Sequence, residues 1–283
     1  MDEPPASQVA EPEPVDNEPR SVWRFERANR ASVIIDVDAY FELIREAMPK
    51  ARQSLFLIGW DFDTRIHLSA HKRQIPSDSG EIYPARLGAF IAWLAKRTPG
   101  LRITILKWNF ALIKSLFRGR MILDLIRWAI NRRIGFKFDS AHPIGSSHHQ
   151  KIVVIDDRFA VCGGIEMTSD RWDSPEHLHE DVRRMLPNGK FYPPWHDITM
   201  LMEGDIAGAL ADLGRERCEA AGGRPLVPCQ PQPESAWPER LVADFEDVEI
   251  GIARTRAEYN DVTQIDEIEN LFVEHIARAR RFI

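Results

Sequence analysis

Apolar positions along this chain switch between two periods. In SVIIDVDAYFELIREAMPKARQSLFLIGWDFD, Tyr40, Leu43, Ile44 and Ala47 recur at helical spacing behind Asp38, the expected N-cap. Residues 32–36 and 54–60 on either side are apolar runs of strand length. The alternation then repeats. Residues 85–97 carry a helical period and 101–108 read as a strand; 118–133 form an amphipathic helix, and 135–139 another strand. Residues 151–155 and 159–162 make a hairpin around Asp156-Asp157-Arg158, and a strand at 198–202 leads into a helix at 205–217. Strands alternating with helices predict an α/β fold with a mixed, largely parallel sheet flanked by helices.

The ends of the chain read differently. Residues 1–22 lack periodicity and are expected to be a disordered acidic tail. Residues 23–221 read as one lobe, and 222–264, rich in Pro and Gly, as a connection. LIREAMPKARQSL (43–55) and LFVEHIARARRFI (271–283) align at a constant offset, pairing Leu43 with Leu271, Glu46 with Glu274, Ala51 with Ala279 and Arg52 with Arg280. Two amphipathic helices can match by chance. Residues 265–283 are expected to begin a second, interrupted structural repeat.

Composition adds bounds. The 283 residues suffice for one sizeable core or two modest ones, and 44% hydrophobic with 28% charged residues is ordinary for a globular protein. No run approaches the ~20 apolar residues of a membrane span. The acidic, proline-rich start is not a signal peptide, so a cytoplasmic location is the default expectation. Cys162, Cys218 and Cys229 are odd in number and form no C-x-x-C, which indicates neither a disulfide framework nor a cysteine zinc site. Net charge is -6, but residues 1–19 hold six acids and no base, leaving the remainder near neutral. Charge alone therefore gives no case for nucleic acid.

The candidate chemistry lies in SSHHQKIVVIDDRFAVCGG (146–164). His149 and Lys151 are two residues apart, so on an extended chain they project together, with an apolar strand to hold them. A neutral imidazole beside an ammonium suits a phosphoryl group: the ring attacks phosphorus and the amine neutralises the nonbridging oxygens. A nucleophilic ring needs an acceptor on its other nitrogen, and Asp197, at the start of a strand, is the candidate orienter. Asp156 completes the pattern as a third catalytic candidate, although it can equally brace the turn by accepting backbone N–H bonds. Gly163 and Gly164 would let the backbone approach a phosphate. Taken singly, each feature also has a plain reading as polar strand edge, turn or bulge.

Two further features bear on metal and membrane binding. His142, His148, His149, His177, His179, Glu180, Asp181, His196 and Asp197 could supply metal ligands, but none shows the H-E-x-x-H spacing, and no metal or other cofactor is expected to be required. Residues 114–133 set six cationic side chains against Asp124, and such a helix can lie on an anionic membrane or pack its apolar face inside.

These residues resemble the phospholipase D superfamily. HHQKIVVIDDRFAVCGG matches its HxKxxxxD signature, with a glycine pair after six further residues, and GGIEMTSDRWD, PPWHDITMLMEGDIAGALADL and HIARARRFI are similar to segments that follow it. The resemblance covers roughly residues 30–283. It implies a two-lobed α/β fold with one signature per lobe meeting at a shared site, and metal-independent transfer of a phosphatidyl group to water or an alcohol. His149 would be the nucleophile, Lys151 the phosphate-binding lysine, Asp156 the third signature residue and Asp197 the orienting carboxylate. Glu166 stands where the family usually has Asp or Asn, so it is given no binding role. No other histidine sits in an H-x-K pair, and His71-Lys72 has the wrong alternation. The implied partners are therefore a phospholipid substrate, a second lobe from a longer chain or a homodimer, and a peripheral membrane surface. A dimeric nuclease acting on DNA, and a catalytically incomplete lobe that only binds phosphate or membrane, are the alternatives.

Overall fold

The protein is described from a computed structural model, covering residues 20–69, 74–76, 80–108, 119–260 and 262–283. An eight-stranded mixed sheet forms its centre. Strand β1 (Arg24–Ile35) leads to helix α1 (Val37–Ala47) and strand β2 (Ser54–Gly59). A small β3 (Gln74–Pro76) and β4 (Ile82–Pro84) hairpin precedes α2 (Leu87–Arg97) and β5 (Arg102–Trp108). Then come α3 (Gly119–Ile130), β6 (Ile134–Asp139), β7 (Ile152–Ile155), β8 (Phe159–Gly163), β9 (Ile198–Gly204) and α4 (Asp205–Ala220). The chain continues through β10 (Phe245–Ile252), the short β11 (Thr255–Arg256) and β12 (Ile265–Asp266), and α5 (Glu267–Arg278).

The sheet order is β10-β1-β9-β8-β7-β2-β5-β6. The α/β class and the mixed sheet match expectation. Parallel pairing, however, is confined to β2–β5–β6, and the remaining neighbours run antiparallel. The reason is local. A strand-helix-strand crossover returns the chain in the same direction, whereas the turn at 156–158 reverses it.

Unbroken apolar runs in β2 and β7 follow from cover on both faces. Leu55, Leu57, Val153 and Ile155 pack into one cluster with residues of α1 and α2 and Trp128 of α3. Their neighbours Phe56, Ile58, Ile152 and Val154 pack into a second cluster with Ile206, Leu210 and Leu213 of α4. The period of two thus divides each strand between two cores.

One boundary differs from the sequence reading. The segment 222–264 is more than a connection, because β10 within it forms the sheet edge against β1. Residues 1–19 of the expected tail lie outside the described residues, while the Trp23 N–H already donates to Ile252 O at 2.7 Å and β1 begins at Arg24. Residues 114–118 of the cationic stretch and the His71-Lys72 pair also lie outside the described residues. Among the described residues no helix is long and apolar enough to cross a membrane.

Candidate active site

Register brings the candidate residues to one end of the sheet. Ile58 pairs with Ile152, Ile152 with Cys162, and Gly163 with Thr199. The C-terminal ends of β2 and β8 therefore lie beside the N-terminal ends of β7 and β9. His149 and Lys151 immediately precede β7, and Asp197 immediately precedes β9.

His149 is exposed, with its ring edge-on to Trp60 at 5.8 Å between centroids. Trp60 stacks on Trp108 at 5.6 Å, so an aromatic wall backs the imidazole. Partial burial, then the Lys151 charge, hold the His149 pKa below its ordinary value, while Asp197 pulls the other way. The ring is thus biased towards its neutral, nucleophilic form. Its neighbour His148 turns inward, with Nε2 3.1 Å from Ala141 O and 3.6 Å from Asp139 Oδ2.

Lys151 is held from below. Its Nζ donates to His149 O at 3.3 Å and lies 3.6 Å from Glu166 Oε1. That same oxygen accepts the Trp60 N–H at 2.7 Å and the Asp61 N–H at 3.0 Å. Burial lowers the Lys151 pKa, and Glu166 and Asp197 oppose the shift. Burial likewise raises the Glu166 pKa against the pull of Lys151 and the two N–H groups. Glu166 thus turns away from the open face and anchors the ammonium, a role that sequence reasoning missed. Its position two residues after the glycine pair was the available signal. Underneath, Lys107 Nζ pairs with Asp61 Oδ1 at 2.7 Å, and Thr168 Oγ1 donates to Asp61 Oδ2 at 2.7 Å.

Asp197 lies close enough to bias both His149 and Lys151, but no direct hydrogen bond joins it to His149 among the described residues. Its Oδ1 accepts the Ile198 N–H at 2.8 Å and its Oδ2 the Trp195 Nε1–H at 3.4 Å.

Two sequence expectations are corrected here. Asp156 is not brought to the imidazole. It lies beyond the opposite end of β7, about 16 Å of extended chain from Lys151. There it accepts the N–H groups of Arg52 (2.7 Å), Gln53 (2.8 Å) and Ser54 (2.7 Å), so its place is that of a turn brace. Gly163 and Gly164 do not offer their amides to a phosphate either. The Gly163 N–H donates to Lys151 O at 3.4 Å and the Gly164 N–H to Ile198 O at 2.8 Å. What the glycines permit is close approach to β9: a Cβ on Gly164 would lie 2.0 Å from Asp197 Oδ1, and one on Gly163 2.5 Å from Thr199 Cα.

At the β1–β9 side of the same sheet end, Asp36, His177 and His196 bring ligand-type atoms within 4.8 Å of one another. Sequence reasoning included both histidines among possible ligands but not Asp36, which is remote in the chain.

No family model matches the chain. Curated relatives do. Phospholipase D A of Dictyostelium discoideum is 28% identical over 171 residues, covering 60% of this chain and 13% of that protein. Phospholipase D alpha 1 of Ricinus communis is 25% identical over 231 residues, covering 66% of this chain and 28% of the relative. The chain is similar to members of the phospholipase D superfamily. It spans only 13 to 28% of the length of these two phospholipases. Among solved structures, the phospholipase D family member Nuc from Salmonella typhimurium aligns with a TM-score of 0.40 and 13% identity, covering 67% of this chain and 95% of Nuc. Likeness at that level carries no functional argument.

Proposed function

We propose that this chain supplies the nucleophilic lobe of a phosphodiesterase that acts on phospholipids through a phosphohistidine. The observation that carries the reading is the exposed His149 ring, biased towards its neutral form, two residues from a Lys151 ammonium anchored by buried Glu166. A ring nitrogen of His149 attacks phosphorus. The P–N bond forms as the P–O bond to the head-group oxygen breaks, and that oxygen leaves with a proton from a general acid. Water or an alcohol then attacks phosphorus and breaks the P–N bond. The proton it loses returns to the conjugate base of that acid, and His149 is regenerated. Lys151 offsets charge on the nonbridging oxygens, and Asp197 favours the positive charge that grows on the ring during attack. The acid is assigned to a second imidazole from another lobe or a second copy, since His149 is the sole histidine of an H-x-K pair and its ring faces outward.

A lipid substrate is favoured over DNA by two observations. The curated relatives are named phospholipases D. Helix α3 also leaves Leu123, Ile126 and Ile130 exposed beside Arg127, while Met121, Asp124 and Trp128 turn inward. That face suits contact with a membrane surface.

The test is hydrolysis of phosphatidylcholine vesicles and, separately, of duplex DNA, in the presence of chelator, by the chain alone and supplemented with a lobe bearing a second H-x-K pair. Chelator-insensitive lipid hydrolysis is expected with the supplement, falling by on the order of 10³ or more in His149→Ala. Cleavage of DNA alone, or full activity in His149→Ala, contradicts the reading.

A further inference from the structure

We propose that Asp36, His177 and His196 form a binding site for a divalent transition ion, zinc foremost, that ties the β1–α1 junction to the segment entering β9. The three ligands come from three separate stretches of chain. Asp36 is the residue between β1 and α1, His177 lies in the long connection from β8 to β9, and His196 is two residues before β9.

The separations are short enough for a shared ion, with the two Asp36 oxygens facing different rings. His177 Nε2 lies 3.1 Å from His196 Nδ1 and 3.2 Å from Asp36 Oδ2, and His196 Nδ1 lies 2.9 Å from Asp36 Oδ1. Ligands about 2.05 Å from a tetrahedral zinc ion stand about 3.3 Å from one another. Two imidazoles and a carboxylate with a fourth position open to solvent are a donor set that zinc accepts.

The surroundings of His177 point the same way. His177 Nδ1 faces Asp173 Oδ2 at 3.1 Å, and Asp173 also accepts from the Trp195 N–H at 2.9 Å and from Arg184 Nη1 at 3.0 Å. A carboxylate so placed orients the His177 ring, with Nε2 turned towards Asp36. Carboxylate-oriented histidine is the usual outer arrangement of a zinc ligand. Asp36 itself is fully buried, and its Oδ2, although 3.2 Å from Nε2, accepts no hydrogen bond. A buried carboxylate oxygen with no hydrogen bond is costly, and a cation held against it by the two rings would satisfy it. The backbone of Asp36 also sits at φ 64° and ψ 156°, a region that essentially only glycine occupies, so this side chain is held in place at a cost.

The consequence concerns Asp197. Its N–H approaches Asp36 Oδ1 at 3.3 Å, its O accepts the Asp36 N–H at 2.8 Å, and it directly follows His196. Because these two bonds already hold the Asp197 backbone, an ion on the triad would tie the junction more firmly without entering the chemistry at His149, and the chelator-insensitive hydrolysis expected above stands. The proposal does not depend on the phosphodiesterase reading, because its readout is metal bound to the chain itself.

The experiment uses the untagged 283-residue chain, dialysed and then titrated with Zn²⁺ or Co²⁺. We expect roughly one zinc per chain by elemental analysis, visible absorption bands of tetrahedral Co²⁺, and a rise in melting temperature with zinc. His196→Ala, whose side chain is 64% exposed and whose removal therefore spares the fold, should weaken binding at least ~10-fold and abolish the zinc-dependent rise. His142→Ala should change neither. Less than a tenth of an equivalent of zinc in the folded wild-type chain, or binding equally strong in His196→Ala, or binding lost in His142→Ala, would overturn the proposal.

Discussion

Glu166 carries a small electrostatic device in one side chain: two backbone N–H groups fix its Oε1, and the Lys151 ammonium hangs from the same oxygen. Because Glu166 raises the Lys151 pKa against burial, Glu166→Gln should let it fall further. The alkaline limb of the completed enzyme's pH–rate profile, where Lys151 loses its proton, should then move to lower pH. An unmoved limb would show that Lys151 does not depend on this anchor. His149 has the opposite consequence. Its pKa lies below the ordinary 6.5, so the neutral ring persists further into acid, and the acid limb should fall below the usual imidazole range. Asp156→Ala makes a different prediction from His149→Ala. Removing the brace leaves the N–H groups of Arg52, Gln53 and Ser54 without their acceptor, and urea unfolding should report a loss of about 2 kcal/mol. His149→Ala, at an exposed position, should stay within ~0.5 kcal/mol of the parent. Equal losses in the two would refute the separation of brace from nucleophile.

At the scale of elements, strand β7 joins the two ends of the signature and holds them apart. This separation was not legible in H-x-K-x₄-D, because spacing along a chain says nothing of which sheet end each residue meets. The existence of β2, β5, β7 and β9 was legible, since their apolar runs reflect cover on both faces. Strand β10 was not, although Val248, Ile250 and Ile252 alternate, because the Pro- and Gly-rich stretch before it masks the signal. The glycine pair was recognised, but its close approach to β9 was not. Gly164→Ala should therefore push Asp197 aside. The expected result is a fall in kcat far larger than any change in melting temperature, and a parent-like kcat would show that Asp197 is not placed by this contact.

For the whole molecule, the sheet gathers strand ends from distant parts of the chain into one face, with α3 presenting apolar side chains outward elsewhere on the surface. Ile126→Glu, which places a charge among Leu123, Ile126 and Ile130, should reduce flotation with anionic vesicles without altering far-UV circular dichroism; undiminished flotation would remove the membrane role of this helix. The overall α/β architecture could be read from alternating periods, but convergence of Glu166, Asp36 and Asp197 on one sheet end could not, because it depends on register between strands far apart in sequence. The central claim is covalent. Phosphatidylcholine labelled on its phosphate should be mixed with the completed enzyme, quenched in alkali, where phosphohistidine survives, and digested for mass spectrometry. Label is expected on His149, and none in His149→Ala. Turnover of the labelled lipid with no label on His149, or with the label on another residue, would contradict the account.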